Sequence, residues 1–416
     1  MSRKTKTIAT QEKAKLVLVP KLRFPEFWGA EGWMLSVLVR ACEMQAGKFV
    51  AASNISEHNQ NGFFPCFGGN GLRGYTTTHT HDGTYPLIGR QGALCGNVRL
   101  VSGKFHATEH AVAATPKNAI DVGWLYYSLD LLNLNRFATG QAQPGLSVDV
   151  LENVSLAIPP LEAEQQKIAD CLSSVDELIA AQALKVEALK THKKGLMQQL
   201  FPREGETQPR LRFPEFQNVR DWETKSLGSF SKVGDIDHKM PSSIANGIPY
   251  IMTGDFFGIN DIDYENAKKI SIEDYKQLSK KIKPELGDIV IARYASVGAV
   301  RYIQTRLKFL ASYSCAIIKC NKSEDSRYIY YALQSDVIQS QIRLEINTSS
   351  QKNIGIDSIK KLSIFIPTLS EQLKISDCLA VFDAQITAKT QQLDALKTHK
   401  KGLMQQLFPA PEATEV

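Results

Sequence analysis

Two stretches of the chain carry apolar residues at alternating steps of four and three. Starting at Ile168, the steps meet Leu172, Val175, Ile179, Gln182, Val186, Leu189, Lys193, Leu196 and Leu200. Starting at Ile375, they meet Leu379, Phe382, Ile386, Lys389, Leu393, Leu396, Lys400, Leu403 and Leu407. Eight of the ten positions are apolar in each stretch, and the polar ones fall at equivalent places, so the two stripes are copies of one design. A mean step of about 3.5 residues keeps a stripe facing one partner along a supercoiled helix. Pro159, Pro160 and Pro367 stand just before these stretches, and Phe201-Pro202 and Phe408-Pro409 close them. Thr368 and Glu371 have the spacing of a capping box. Two helices of about 37 residues are expected, each about 55 Å long at about 1.5 Å per residue.

Such stripes need cover. Each helix could lay its stripe on its own globular domain. The alternative is that the two pack on each other, and two copies of one unit related by a two-fold axis across the helices make them antiparallel. The globular parts would then stand at opposite ends of a rod. Cys171 and Cys378, beside the stripe, read as small core residues.

The remaining sequence reads as β-rich. Short runs such as TYPLIG, NVRLV, IPYIM, GDIVIA, AVRYI and CAIIKC are bounded by Gly, Pro, Asn and Asp. A short helix is expected near Trp124 and another near Arg327. The fold class is α+β: two β-rich domains, each followed by a long helix, with the helices paired as an antiparallel coiled coil.

The same order occurs twice. LRFPEF at residues 22–27 returns at 211–216, each followed by a tryptophan, Trp33 or Trp222. ALKTHKKGLMQQLFP at 188–202 returns unchanged at 395–409. Glu164-Gln165 and Asp170-Cys171-Leu172 match Glu371-Gln372 and Asp377-Cys378-Leu379. Fainter echoes link LIGRQGALCGNV (87–98) to VIARYASVGAV (290–300), and WLYYSL (124–129) to YIYYAL (328–333). A period of about 190 residues is far beyond solenoid repeats of about 20–50, so this is a tandem pair. The expected division is an N-terminal arm 1–21, a first domain 22–157, a central helix 158–202, a linker 203–210, a second domain 211–365, a C-terminal helix 366–409 and a tail 410–416.

Composition narrows the class without deciding it. The 416 residues are 43% hydrophobic and 22% charged, as in globular proteins, with no apolar run long enough to span a membrane and no signal-peptide pattern. Seven cysteines without a C-x-x-C pair fit neither a disulfide framework nor a zinc knuckle. A cytoplasmic location is expected. The net charge of +6 hints at nucleic acid, but residues 1–21 alone carry +5 and the first domain is slightly acidic.

Taken together, LRFPEF…W, a variable β-rich domain, an I-P-P-L-x-x-E-Q-x-x-I lead and a long Lys/Leu-rich helix, all repeated, resemble the specificity subunits of type I restriction–modification enzymes. The resemblance covers almost everything after residue 20. It implies two target-recognition domains, each reading one half of a bipartite, asymmetric double-stranded DNA site. It further implies helices that space these domains and dock two methyltransferase subunits, with restriction (translocase) subunits joining through them. No catalytic site is expected in the chain. S-adenosylmethionine, ATP and Mg²⁺ would belong to the partners. FFPCFGGNGLRGY (63–75) is similar to a common recognition-domain pattern, from which IPYIMTGDFFG (248–258) departs; two unlike half-sites are implied. A specificity subunit serving a methyltransferase–nuclease fusion is the alternative within the class. A self-contained DNA methyltransferase is the alternative outside it, against which the absent N-P-P-Y or D-P-P-Y tetrapeptide counts. A purely structural coiled coil is the third alternative; the paired, unlike β domains count against it.

Individual motifs divide into distractions and candidates. Gly69-x-Gly71-x-x-Gly74 has the form of a dinucleotide fingerprint, but the polar TTTHTHDG after it is no helix, so a hairpin turn is expected. His79-x-His81-Asp82 reads as a polar loop rather than a metal site. No Walker motif is present. Polar, basic and aromatic side chains on loops are what base edges and phosphates require. The DNA-facing candidates of the first domain are Arg73, Tyr75, His79, His81, Arg90, Gln91 and Gln143. Those of the second are Arg293, Tyr294 and Gln351, with Lys280, Lys281, Lys283 and Arg301 set against phosphates. In the repeated segment, Lys193, Lys194, Lys400 and Lys401 are the candidates for partner binding.

Overall fold

A computed structural model of the protein describes residues 17–92, 94–140, 144–348 and 353–409. Packing divides the chain into two units, Met1–Gln182 with Leu393–Val416, and Ala183–Gln392. Each unit thus takes one β-rich domain together with a part of both long helices. This division cuts through the helices, where the repeat in the sequence had placed whole helices with their own domains.

In the first unit, β1 (Val17–Leu18), β2 (Trp33–Val37) and β9 (Ser155–Ile158) form a small sheet, with β2 central. A six-stranded sheet holds β3 (Cys42–Ala46), β4 (Phe64–Gly68), β5 (Gly71–Thr76), β6 (His81–Gly89), β7 (Val98–Ala107) and β8 (Ala111–Pro116), in the order β3-β8-β6-β7-β4-β5. Short helices α1 (Leu38–Ala41) and α3 (Val148–Glu152) flank α2 (Val122–Leu131) in sequence. The last of these starts where Asp121 accepts the Trp124 amide at 2.7 Å, a side-chain cap that satisfies an otherwise orphaned donor. The long helix α4 is Glu162–Leu200.

The second unit keeps part of this plan. β10 (Glu223–Ser226) pairs with β20 (Ser363–Ile366) as β2 pairs with β9. α5 (Leu227–Phe230) precedes β11 (Ser231–Gly234), as α1 precedes β3. Here β11, β16 (Ile289–Ala292), β17 (Val300–Tyr302) and β19 (Cys315–Cys320) form a sheet in the order β11-β19-β16-β17, the same path as β3-β8-β6-β7. Beyond this frame the units differ. The first adds the β4–β5 hairpin to the edge of its sheet. The second builds a separate sheet, β15-β12-β18, from β12 (Ile248–Ile251), β15 (Lys269–Ile270) and β18 (Leu310–Ala311), plus a pair β13 (Phe256–Phe257) and β14 (Asp261–Ile262). It also adds α6 (Ile272–Leu278) and a 13-residue α8 (Asp336–Thr348) directly after α7 (Ser326–Gln334), whereas α9 (Ile356–Lys361) stands before β20 as α3 stands before β9. α10 (Leu369–Leu407) is the second long helix. The sequence patterns foresaw α2 and α7 but not α8.

The repeated motifs are joints. Arg23 of the first LRFPEF donates to both carboxylate oxygens of Glu164 at 2.7 and 2.8 Å, and the buried Trp33 donates to the same carboxylate at 3.1 Å. Arg212 and Trp222 do the same to Glu371, at 2.8, 2.8 and 3.3 Å. The Glu371 carboxylate is therefore spent on Arg212 and Trp222, and the capping box expected with Thr368 is not formed. The Leu22 amide donates to the Gln406 carbonyl, and that of Leu211 to the Gln199 carbonyl, at 2.9 Å each. Each LRFPEF thus ties a domain to the last turns of the helix that does not follow it.

The two helices pair antiparallel in each unit. In the first, Asp176 lies against Lys400, while Ile168 and Leu172 share a core with Met404 and Leu407. In the second, Asp383 lies against Lys193, and Ile375 and Leu379 share a core with Leu200 and Phe201. All twelve apolar seam residues named above for α4 and α10 up to Leu189 and Leu396 are buried or half-buried. The two ways of covering the stripe turn out to coexist: at its ends the seam merges with a domain core around Trp33 and Trp124 or around Trp222 and Tyr328. Among the described residues no helix is long and apolar enough to cross a membrane.

Candidate DNA interface

In the first unit the Gly-rich stretch is the two-residue turn of the β4–β5 hairpin, as expected. Glycines let the hairpin press on the end of β6 at its turn and on the segment at Ser56 along β5. A Cβ on Gly89 would lie 2.1 Å from the Gly69 carbonyl oxygen, and one on Gly74 2.3 Å from that of Ser56. Packing thus joins the FFPCFGGNGLRGY segment to LIGRQG at the end of β6. Asn70, Arg73, Gln91 and His110 line an open cleft of about 340 Å³ beside this turn. Arg73 is exposed on β5 and Gln91 exposed beyond β6, whereas Tyr75 is half-buried. Arg99, which the sequence reading passed over, places its guanidinium above Gly71. His110 and Asn70 were missed as well; they come from a turn and a glycine run with no basic signature.

The histidines are set differently. His79 is exposed, with its ring 4.8 Å from that of Phe64. His81 stacks on Phe105 at 5.1 Å and accepts from or donates to Thr80 Oγ1 at 2.7 Å. Burial, then His106 and Lys48, lower its pKa, so it stays neutral and offers hydrogen bonding rather than charge.

The second unit reuses the backbone and changes the side chains. The Arg90 amide donates to the His110 carbonyl, and that of Arg293 to the Ser314 carbonyl, at 3.0 and 2.8 Å. The carbonyl of Arg90 accepts from Leu146, and that of Arg293 from Ile354. The equivalence read from LIGRQG and VIARYA is therefore structural. Yet Arg293 is buried: its guanidinium pairs with Asp235 and donates to the carbonyls of Ile354 and Tyr313 at 3.0 and 3.3 Å. Following the sheet register, the place of Asp235 is held in the first unit by Ala46. Arg90 has no such carboxylate and keeps a buried, unbonded Nε.

This corrects two assignments. A contact from Arg293 to a base would require breaking a buried ion pair. Arg301, assigned to phosphates, is buried too, and donates to the carbonyls of Val300, Asp261 and Phe257 at 2.8, 3.0 and 3.1 Å. Burial lowers its pKa, and it serves to join β17 to the β13–β14 pair. Lys281 and Lys283 are half-exposed and hold Asp235 and Glu285 at 3.0 and 3.2 Å. Lys280 is exposed, and Tyr294 is half-buried beside Tyr313. Gln143 and Gln351 lie outside the described residues.

The lysines of the repeated segment separate in the same way. Lys194 and Lys401 are exposed. Lys193 and Lys400 are not partner-facing: they are largely buried in the helix seam, paired with Asp383 at 2.5 Å and Asp176 at 2.8 Å. The seam reading of these positions holds, and their assignment to partner binding does not. Lys190, Lys194, Met197 and Phe201 line a cleft of about 710 Å³ whose opposite wall includes Val337 and Ser340 of α8.

A pair of β-rich domains on one shared four-strand frame, each locked to two antiparallel helices, defines a tandem recognition scaffold. The profile of the type I restriction modification DNA specificity domain matches residues 31–191 and again 219–398. The chain belongs to this family, that of the type I restriction–modification specificity subunits, and carries its domain twice. It is 46% identical over 137 residues to the EcoprrI specificity subunit of Escherichia coli, covering 33% of this chain and 34% of that protein. It is 27% identical over 307 residues to the MjaVIII specificity subunit of Methanocaldococcus jannaschii, covering 70% and 71%. The S subunit of a type I system from M. genitalium has the same fold, with a TM-score of 0.66 at 16% identity, over 94% of this chain and 99% of that one.

Proposed function

We propose that this chain selects a bipartite, asymmetric DNA sequence for a type I restriction–modification enzyme, one half-site for each domain. The observation that carries this reading is that one β frame is built twice and then extended differently, by a hairpin carrying exposed Arg73, beside exposed Gln91 and Arg99, in one unit and by a separate sheet in the other. A shared frame presents two readers alike; unlike extensions make them read unlike sequences. The identical segments 188–202 and 395–409 are read as two docking sites for one kind of methyltransferase subunit, through exposed Thr191 and Lys194 and their counterparts Thr398 and Lys401. Restriction subunits would join through the methyltransferase. Catalysis, with S-adenosylmethionine, ATP and Mg²⁺, is assigned to those partners, and the work is placed in the cytoplasm.

Comparing the genome-wide methylation of a host with and without this chain tests the reading. The expected result is one split motif that disappears with the chain. Replacing residues 34–157 by the first domain of another family member should then change one half of that motif. Methylation by this chain alone with S-adenosylmethionine would overturn the assignment of catalysis to partners.

A further inference from the structure

Three elements meet at one buried point in each unit, with the same chemistry both times. Tyr127 of α2 donates its hydroxyl to Asp176 of α4 at 2.8 Å, and Lys400 of α10 donates to the same carboxylate at 2.8 Å. Tyr331 of α7 donates to Asp383 of α10 at 2.7 Å, and Lys193 of α4 donates to that carboxylate at 2.5 Å. Each ammonium also lies 5.1 Å from the centre of the tyrosine ring it faces. The lysine side chains are 16% and 10% exposed and their aspartates 36% and 17%, so these are part-buried ion pairs rather than open surface contacts. In both units the tyrosine belongs to the recognition domain, the aspartate to the helix that follows it, and the lysine to the opposite helix.

An apolar seam of heptad period fits nearly as well after sliding by one repeat, and a smooth seam lets a docked domain roll. A buried ion pair adds little net stability over well-packed apolar residues, but it satisfies its hydrogen bonds in a single alignment. The tyrosine extends that alignment from the helix pair to the domain. We propose that Lys193 and Lys400 are positioning residues that, through Asp383–Tyr331 and Asp176–Tyr127, hold each recognition domain at one angle and one register on the helix pair, and so set which gap between half-sites is accepted. This rests on the reading of the target as bipartite.

The test uses the full chain assembled with its methyltransferase, on a DNA library in which the gap is varied while both half-sites are kept. The wild-type assembly is measured first; methylation that does not depend on two half-sites overturns the proposed function itself. Lys193→Met with Lys400→Met is expected to leave both half-sites unchanged and to weaken discrimination against gaps one base pair longer or shorter by about tenfold. Tyr127→Phe with Tyr331→Phe, which removes only the hydroxyls, should act in the same direction and more weakly. Exchanging the charges, Lys400→Asp with Asp176→Lys and Lys193→Asp with Asp383→Lys, should restore discrimination. A folded methionine variant with wild-type discrimination overturns the proposal, as does a uniform loss of rate at every gap. Should the methionine variant not fold, the phenylalanine variant decides, and unchanged discrimination in it overturns the proposal equally.

Discussion

Arg90 and Arg293 occupy one backbone position in two copies of one sheet, yet only Arg90 is without an acidic partner. The difference lies in a third strand. Asp235, just beyond β11, takes up Arg293, Lys281 and His238, while Ala46 at the same place in the first domain offers nothing. Equivalent positions in a duplicated fold therefore share their backbone bonds without sharing their work, because a guanidinium follows the nearest carboxylate, wherever in the chain that lies.

The comparison predicts unequal costs. Arg293→Ala leaves Asp235 buried without its closest partner, and should lower unfolding free energy by about 3 kcal/mol in urea melts. Arg90→Ala, which breaks no ion pair, should cost about 1 kcal/mol or less in the same melts. Similar losses for both would mean that Arg293 is as free as Arg90.

Free side chains should matter to DNA instead. Arg73→Ala is expected to weaken binding of the cognate site by about 1–3 kcal/mol with little change in melting. Arg301→Ala should show the reverse pattern, lower stability with no specific loss at the second half-site beyond it. Titrating each variant assembly with fluorescent DNA separates the two.

Acid should expose Asp235. Burial pushes its pKa up, but the hydrogen bond from Lys281 and the charges of Arg293 and Lys281 outweigh burial and hold it below the usual carboxylate value. A depressed folded value stabilises the native state above the ordinary carboxylate range, and that contribution is lost as pH falls through the depressed value. Asp288 runs the other way: burial raises its pKa despite Lys319. Asp235→Asn should therefore lower stability near neutral pH and flatten its fall between about pH 5 and pH 2, as followed by melting temperature. An unchanged acid slope would show that Asp235 is not the group responsible.

The smallest effect is expected at the surface. Lys194→Glu with Lys401→Glu should change stability by less than about 0.5 kcal/mol. The same pair is expected to reduce capture of the methyltransferase, read by native mass spectrometry, from two copies per chain. Undiminished capture would move the docking site off this face.

Much of this molecule could be read from period and repetition. The heptad stripes located both long helices and their shared seam, because a helix that must bury one side repeats its apolar residues at that helix's own pitch. The duplicated motifs announced two domains, and the β runs fell on β6, β7, β12, β16, β17 and β19. Longer-range matters stayed hidden. Nothing local marks Arg23 as the partner of Glu164, 141 residues away, or Arg293 as the partner of Asp235. Lys193 and Lys194 are neighbours of one type in one helix; the stripe put only Lys193 on the seam, yet both were assigned to partner binding. Only folding showed the first taken up by Asp383 and the second left in water. Local physics, the pitch of a helix and the alternation of a strand, is written in consecutive residues. Which charge is buried and which is free depends on what distant strand or helix lies opposite, and that is decided when the chain packs.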